Sequence, residues 1–156
     1  MDLFKTLDEI GITYRLLDHP PVYTVAESME HMPGKFPVKN LLLKEEKGES
    51  LVFVIMKGDE RLDTKKVQVL TGCKKLQFAK PDVLLATLGV EPGSASIFSL
   101  LHEGSGGIEV VIDTRLLEQE ELGFHPSKNT QTVFISGKDI PVFLDARSLQ
   151  WKLLQL

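Results

Sequence analysis

A chain of 156 residues with 42% apolar side chains can bury one sizeable core and is too apolar for a disordered segment. Its formal net charge of -4 speaks against a protein that coats DNA, though not against a local contact with nucleic acid. No apolar run approaches a bilayer span, Met1-Asp2-Leu3-Phe4-Lys5 lacks the pattern of a signal peptide, and the single cysteine, Cys73, allows no intrachain disulfide, so a cytoplasmic protein is expected.

Leu3, Phe4, Leu7 and Ile10 have helical spacing, and Gly11 follows as a cap. Thr13 to Asp18 reads as a strand that His19-Pro20-Pro21 ends. Thr24-Val25-Ala26-Glu27 is a capping box, which predicts a short helix from Val25 to Met32. The run Leu41-Leu42-Leu43 within Val38–Lys44 is unbroken, as in a strand covered on both faces. Lys47-Gly48-Glu49 turns the chain, and Ser50 to Met56 reads as its hairpin partner.

Asp63 can cap a helix over Thr64–Leu70, with Gly72 after it. Leu76-Gln77-Phe78 is a short strand, and Pro81 opens a helix that Gly89 stops. Gly89 to Ser96 is the longest stretch of small and turn-forming residues, and it leads into Ile97–Leu101. Gly104 to Gly107 reads as a hairpin tip, Ile108–Asp113 as a strand and Leu116-Leu117 as the start of a short acidic turn or helix. Asn129 to Ile135 reads as a strand opening with polar groups. Ser136 and Asp139 signal a helix over Ile140–Arg147, and Trp151 should pack on the body. There is no repeat or linker, so residues 1–156 are expected to form a single domain. Helices and strands mix without strict alternation, which predicts an α+β fold with a mixed, mostly antiparallel curved sheet flanked by helices.

Three polar stretches remain as candidates for chemistry. Lys39 and Asn40 lead into a buried strand and suit gripping a ligand's oxygen atoms, although a strand-end lysine can simply be solvated. The loop Gly89–Ser96, with Ser94 and Ser96, can bring backbone N–H groups close to oxygen atoms, or can be an ordinary helix-to-strand loop. His125 stands with Asn129 and Thr130. None of His19, His31, His102 and His125 has metal-ligand spacing with another histidine or with Cys73, and no nucleotide fingerprint or triad motif is present. A hydrolase built from these groups would position a water and stabilise an oxyanion with lysine and backbone N–H groups. Cations gather between Lys35 and Lys80, including Lys39, Lys44, Lys57, Arg61, Lys65, Lys66, Lys74 and Lys75, as a solvated face or an RNA contact.

Several stretches together resemble the family of freestanding aminoacyl-tRNA editing domains of the YbaK/ProX type, also found inserted in bacterial prolyl-tRNA synthetases. They are Val38–Lys44, Arg61–Lys66, Lys75–Ala79, Leu88–Ser94 and Phe124-His125-Pro126 with Asn129 and Thr130, in the family's order. The match looks closest to the branch that removes mischarged alanine. It implies the YbaK-type fold and a cytoplasmic hydrolase that cleaves the ester between a small amino acid and the terminal adenosine of tRNA(Pro). No metal or redox cofactor, no DNA and no membrane is implied; the acceptor end of tRNA is the partner, with prolyl-tRNA synthetase as a further one.

By the same resemblance Lys39, Ser94 and His125 are the expected catalytic residues. Lys39 would hold the phosphate or sugar of the terminal nucleotide or steady the ester carbonyl, with Asn40 helping. Gly93, Ala95 and Ser96 would share the substrate-cradling turn with Ser94. His125 would contact the substrate's amino group or exclude larger side chains, with Asn129 and Thr130 supporting that wall. One position departs: Ile97 stands where the family's loop carries a proline, and isoleucine does not stiffen a loop in the same way. The same fold acting on cysteinyl- or seryl-tRNA, or a non-catalytic module that binds tRNA or a synthetase, are the alternatives.

Overall fold

The computed structural model describes residues 2–21, 36–126 and 130–155. The helix expected over Val25–Met32, and Asn129, lie outside them. The described helices are α1 (Leu3–Glu9), α2 (Thr64–Thr71), α3 (Pro81–Leu88) and α4 (Asp139–Ala146). The strands are β1 (Arg15–Asp18), β2 (Val38–Glu45), β3 (Leu51–Lys57), β4 (Leu76–Phe78), β5 (Glu109–Asp113), β6 (Leu122–Phe124), β7 (Gln131–Ile135) and β8 (Gln150–Leu154). Short 3-10 helices occupy Ile97–Leu101, Glu103–Ser105 and Thr114–Glu118.

Among the described residues the strands divide between two sheets. β1-β7-β6 is antiparallel throughout. In the order β4-β2-β3-β5-β8, β2 pairs antiparallel with β3 and β4, whereas β3–β5 and β5–β8 are parallel. The mixed, mostly antiparallel α+β architecture is present, with its strands shared between two sheets rather than held in one.

The central strand explains the unbroken apolar runs. Val52, Phe53, Val54, Ile55 and Met56 are at most 1% exposed. Alternation along β3 sends Phe53 and Ile55 toward Leu42, Phe98, Phe124 and Val133. It sends Val52, Val54 and Met56 toward Leu43, Val111 and Val67 of α2. Both faces of the larger sheet are therefore covered, and no polar position is needed at either.

Local chemistry sets the helix ends. The Asp63 carboxylate accepts from the N–H groups of Lys65 and Lys66 at 3.1 and 3.4 Å, and Gly72 closes α2 in the left-handed conformation at φ 79°. Pro81 opens α3. None of the described helices is long and apolar enough to cross a membrane.

Two local expectations change. Ile97–Leu101 is a 3-10 helix capped by Ser96, not a strand. Gly104 to Gly107 is not a hairpin tip, because β5 pairs with β3 and β8 and follows a 3-10 turn. Gly104 is there for close packing: a Cβ on it would lie 2.3 Å from the carbonyl oxygen of Ala86 in α3. β6 is too short to show alternation in the sequence. Trp151 packs on the core as expected, but it does so from β8, with its indole N–H donating to Asp145 at 2.9 Å. Phe53→Ala, which empties a site with 0% exposure, should lower the unfolding free energy by about 3–5 kcal/mol, measured by urea denaturation.

Candidate active site

Lys39 and Asn40 occupy successive positions on β2, opposite Met56 and Ile55 of β3. Successive strand residues face opposite sides of a sheet. Asn40 therefore shares the side of Leu42 and Ile55, between the larger sheet and the elements carrying Phe98 and Phe124. Lys39 shares the side of Leu43 and Met56, over which α2 lies. Lys39 donates through Nζ to the carbonyl oxygen of Glu60. The Asn40 side-chain oxygen is buried and has no hydrogen-bond partner among the described residues, a costly state that a ligand's donor would relieve. The two neighbours thus stand on opposite faces of the strand.

The loop after α3 is built by its own hydrogen bonds. Gly93 has φ 86°, a conformation that suits glycine. The Ser94 N–H donates to Glu91 O at 3.1 Å, and the Ser96 N–H to Ser99 Oγ at 3.0 Å. These two N–H groups are thus already committed, while those of Gly93 and Ala95 have no partner among the described residues. Ser96 is 1% exposed; its hydroxyl donates to His125 O at 2.6 Å and accepts from the Phe98 N–H at 3.1 Å. It welds the loop to the end of β6. The Ser94 side chain lines a cleft of about 620 Å³ with Leu88, Phe98, His102 and Pro126, in which neither Lys39 nor His125 takes part.

Ile97 is the first residue of the 3-10 helix. The N–H at that position has no partner within a helix, so proline would fit there. In this chain the reciprocal Ser96–Ser99 capping box and the complete burial of Ile97 hold the loop instead.

His125 follows β6 and is half-buried. Its Nδ1 lies 2.9 Å from Gln131 O. A carbonyl only accepts, so Nδ1 carries the proton and Nε2 keeps its lone pair. Burial pushes the imidazole below the ordinary histidine value of 6.5; the bond to Gln131 opposes this, and neighbouring His19 adds to the depression. The ring centroids of His19 and His125 are 5.9 Å apart. His19 itself bonds Thr132 Oγ1 at 2.7 Å, and its backbone N–H donates to Thr130 O at 2.9 Å. Sequence reasoning passed over His19, since next to two prolines it reads only as the end of a strand. The β1–β7 pairing brings it to the wall that also holds Thr130 and Gln131.

The structure thus joins Ser96, His125, His19 and Thr130 through a continuous set of contacts, with Asn40 facing the same interior. Lys39 stands on the other side of the strand, and Ser94 opens onto the adjoining cleft.

The model of the aminoacyl-tRNA editing domain matches residues 19–143. The chain is 35% identical over 153 residues to the prolyl-tRNA editing protein ProX of Acetoanaerobium sticklandii, covering 96% of this chain and 93% of that one. It is 30% identical over 152 residues to prolyl-tRNA synthetase associated domain-containing protein 1 of Mus musculus, covering 93% and 89% of the two chains. A crystal structure described as a proposed trans-editing enzyme for prolyl tRNA synthetase shares the fold, with a TM-score of 0.75 at 19% identity over 97% of this chain and 93% of that one. The chain belongs to the aminoacyl-tRNA editing domain family.

The depressed pKa of His125 has a stability consequence. The folded state resists protonating this ring while the unfolded chain takes up a proton near the ordinary value of 6.5. Stability from this group is therefore complete above that pH and is lost as pH falls through it toward the lower folded value. The urea midpoint of the wild type should drop between about pH 7.5 and 5 by more than that of His125→Asn, which lacks the titrating ring.

Proposed function

We propose that the protein is a trans-editing aminoacyl-tRNA deacylase that hydrolyses mischarged tRNA(Pro), with alanine as the amino acid removed. The observation that carries this reading is the identity to a prolyl-tRNA editing protein over nearly the full length of both chains. Alanine is smaller than proline and a synthetase pocket cannot fully exclude it; a second pocket that admits only the smaller residue supplies the missing discrimination.

The site divides the substrate between two faces of β2. Lys39 spends one of its three N–H donors on Glu60, and the other two hold the phosphate or ribose of the terminal adenosine. Of the two roles open to this lysine in the sequence, its separation from Asn40 favours the nucleotide anchor over the ester carbonyl. The aminoacyl end lies on the His125 side. There the N–H groups of Gly93 and Ala95, which have no partner among the described residues, face the ester carbonyl oxygen, the lone pair on His125 Nε2 accepts from the substrate's amino group, and Asn40 Oδ1 takes a further donor. Thr130, whose carbonyl oxygen accepts from the His19 N–H, supports that wall. A water adds to the carbonyl carbon, the bond to the ribose oxygen breaks, and free alanine and uncharged tRNA leave. The neighbouring ribose hydroxyl assists the proton transfer, so no protein base is required.

The partner is the acceptor end of tRNA, with prolyl-tRNA synthetase as the source of the mischarged substrate, and the setting is the cytoplasm. Exposed Lys65, Lys66, Lys74 and Lys80 give a chain of net charge -4 a local cationic surface for the RNA backbone. The second reading, a deacylase for cysteinyl- or seryl-tRNA, draws on Ile97 in place of the loop proline.

A panel of charged tRNAs tests both. Alanyl-tRNA(Pro) should be deacylated fastest. Lys39→Ala should slow that reaction roughly 10- to 100-fold with little change in melting temperature, since the residue is only half-buried. Equal rates for wild type and variant would remove Lys39 from the site, and faster cleavage of seryl- or cysteinyl-tRNA would replace alanine as the substrate.

A further inference from the structure

Asp113, at the end of β5, is 0% exposed, yet no part of the proposed chemistry uses it. Its carboxylate accepts from the Lys57 N–H at 3.2 Å, the Arg115 N–H at 3.1 Å, Arg115 Nε at 3.0 Å and Arg115 Nη2 at 2.7 Å. The same guanidinium grips a second carboxylate, with Nη1 to Glu60 Oε1 at 2.8 Å and Nη2 to Glu60 Oε2. An arginine fork that is bidentate to two acids at once has no rotational freedom left. Glu60 therefore has a fixed side chain. Its N–H donates to Lys57 O at 3.4 Å, and its carbonyl oxygen receives the Lys39 ammonium.

Burial pushes the Asp113 carboxyl up, but the hydrogen bonds from Arg115 and the Lys57 backbone outweigh it and hold the group below its ordinary value. The Arg115 hydrogen bond likewise holds Glu60 below the usual carboxylate range. Both acids stay charged at neutral pH, so the fork stays closed.

We infer that Glu60 is a positioning residue for Lys39: Asp113 anchors Arg115, Arg115 locks the Glu60 side chain, and the Glu60 carbonyl thereby aims the ammonium at the substrate. This rests on the reading of Lys39 as the nucleotide anchor. A lysine on a four-carbon stem would otherwise sample many rotamers, and a misplacement of about 1 Å is enough to cost two orders of magnitude in rate. The chain answers that loss of order by tying the ammonium to a peptide whose own side chain is pinned to the buried end of the sheet.

Glu60→Ala cuts the link without exposing or unpairing the buried Asp113–Arg115 contact, so the variant should fold; Glu60→Gln, whose amide oxygen still accepts from the guanidinium, is the conservative control. In the full-length protein, brief acetylation with an amine reagent is read by mass spectrometry at Lys39, with exposed Lys5 as internal reference. Glu60→Ala should raise Lys39 labelling severalfold and Glu60→Gln by less. In single-turnover deacylation of alanyl-tRNA(Pro), Glu60→Ala should cost about tenfold, Glu60→Gln less, and Glu60→Ala should cost nothing further when added to Lys39→Ala. Unchanged Lys39 labelling, or losses that multiply in the double variant, would overturn the inference. If the wild type cleaves none of the charged tRNAs, the editing reading fails, and the labelling alone decides whether Glu60 holds Lys39.

Discussion

The antiparallel register of β2 on β3 governs what the rest of the molecule can do. It sets Lys39 against Met56 and Asn40 against Ile55. Because side chains alternate, this one pairing sends a cation to one face of the sheet and, to the other, an amide oxygen with no partner among the described residues. A slip of a single residue would exchange them and would also turn Leu42 and Leu43 out of their respective cores. The apolar packing on both faces, which makes such a slip costly, is thus also what keeps the polar groups in place.

The second fixture is the loop between α3 and β5. Its shape comes from bonds that leave some N–H groups occupied and others open. Ser96 is central to this: it caps a 3-10 helix, reaches the backbone of His125 and is almost wholly buried. A buried hydroxyl is tolerated when its hydrogen bonds are made, and here they join two segments about thirty residues apart. The same contact places the imidazole, while the Gln131 carbonyl selects its tautomer. Isoleucine at position 97 therefore does not leave the loop loose. Capping and burial do the work that a pyrrolidine ring does by fixing φ.

The third is the ion network of Asp113, Arg115 and Glu60. Only Asp113 is buried in it, while Arg115 and Glu60 are 33% and 38% exposed, so its ion pairs are a weak source of stability. Their value in this fold is geometric. The network ties the turn after β3 to the end of β5, two strands that pair in parallel and could not be joined by a tight hairpin.

Much of the local structure was written in residues that act on their immediate neighbours. Asp63 and Gly72 bounded α2, Pro81 and Gly89 bounded α3, and the apolar runs marked β2 and β3 as strands covered on both faces. The family was legible too, from motifs scattered in order along the chain. What the sequence did not disclose was everything that depends on long-range pairing: that the strands form two sheets, that Gln150–Leu154 is a strand added at the edge, and that His19 stands beside His125. Nor did it disclose that Glu60, Asp113 and Arg115 converge. Propensity, capping and periodicity are properties of a few adjacent residues, so sequence alone determined the elements. Which side chains meet depends on register and on contacts between distant segments, and only the folded chain decides those.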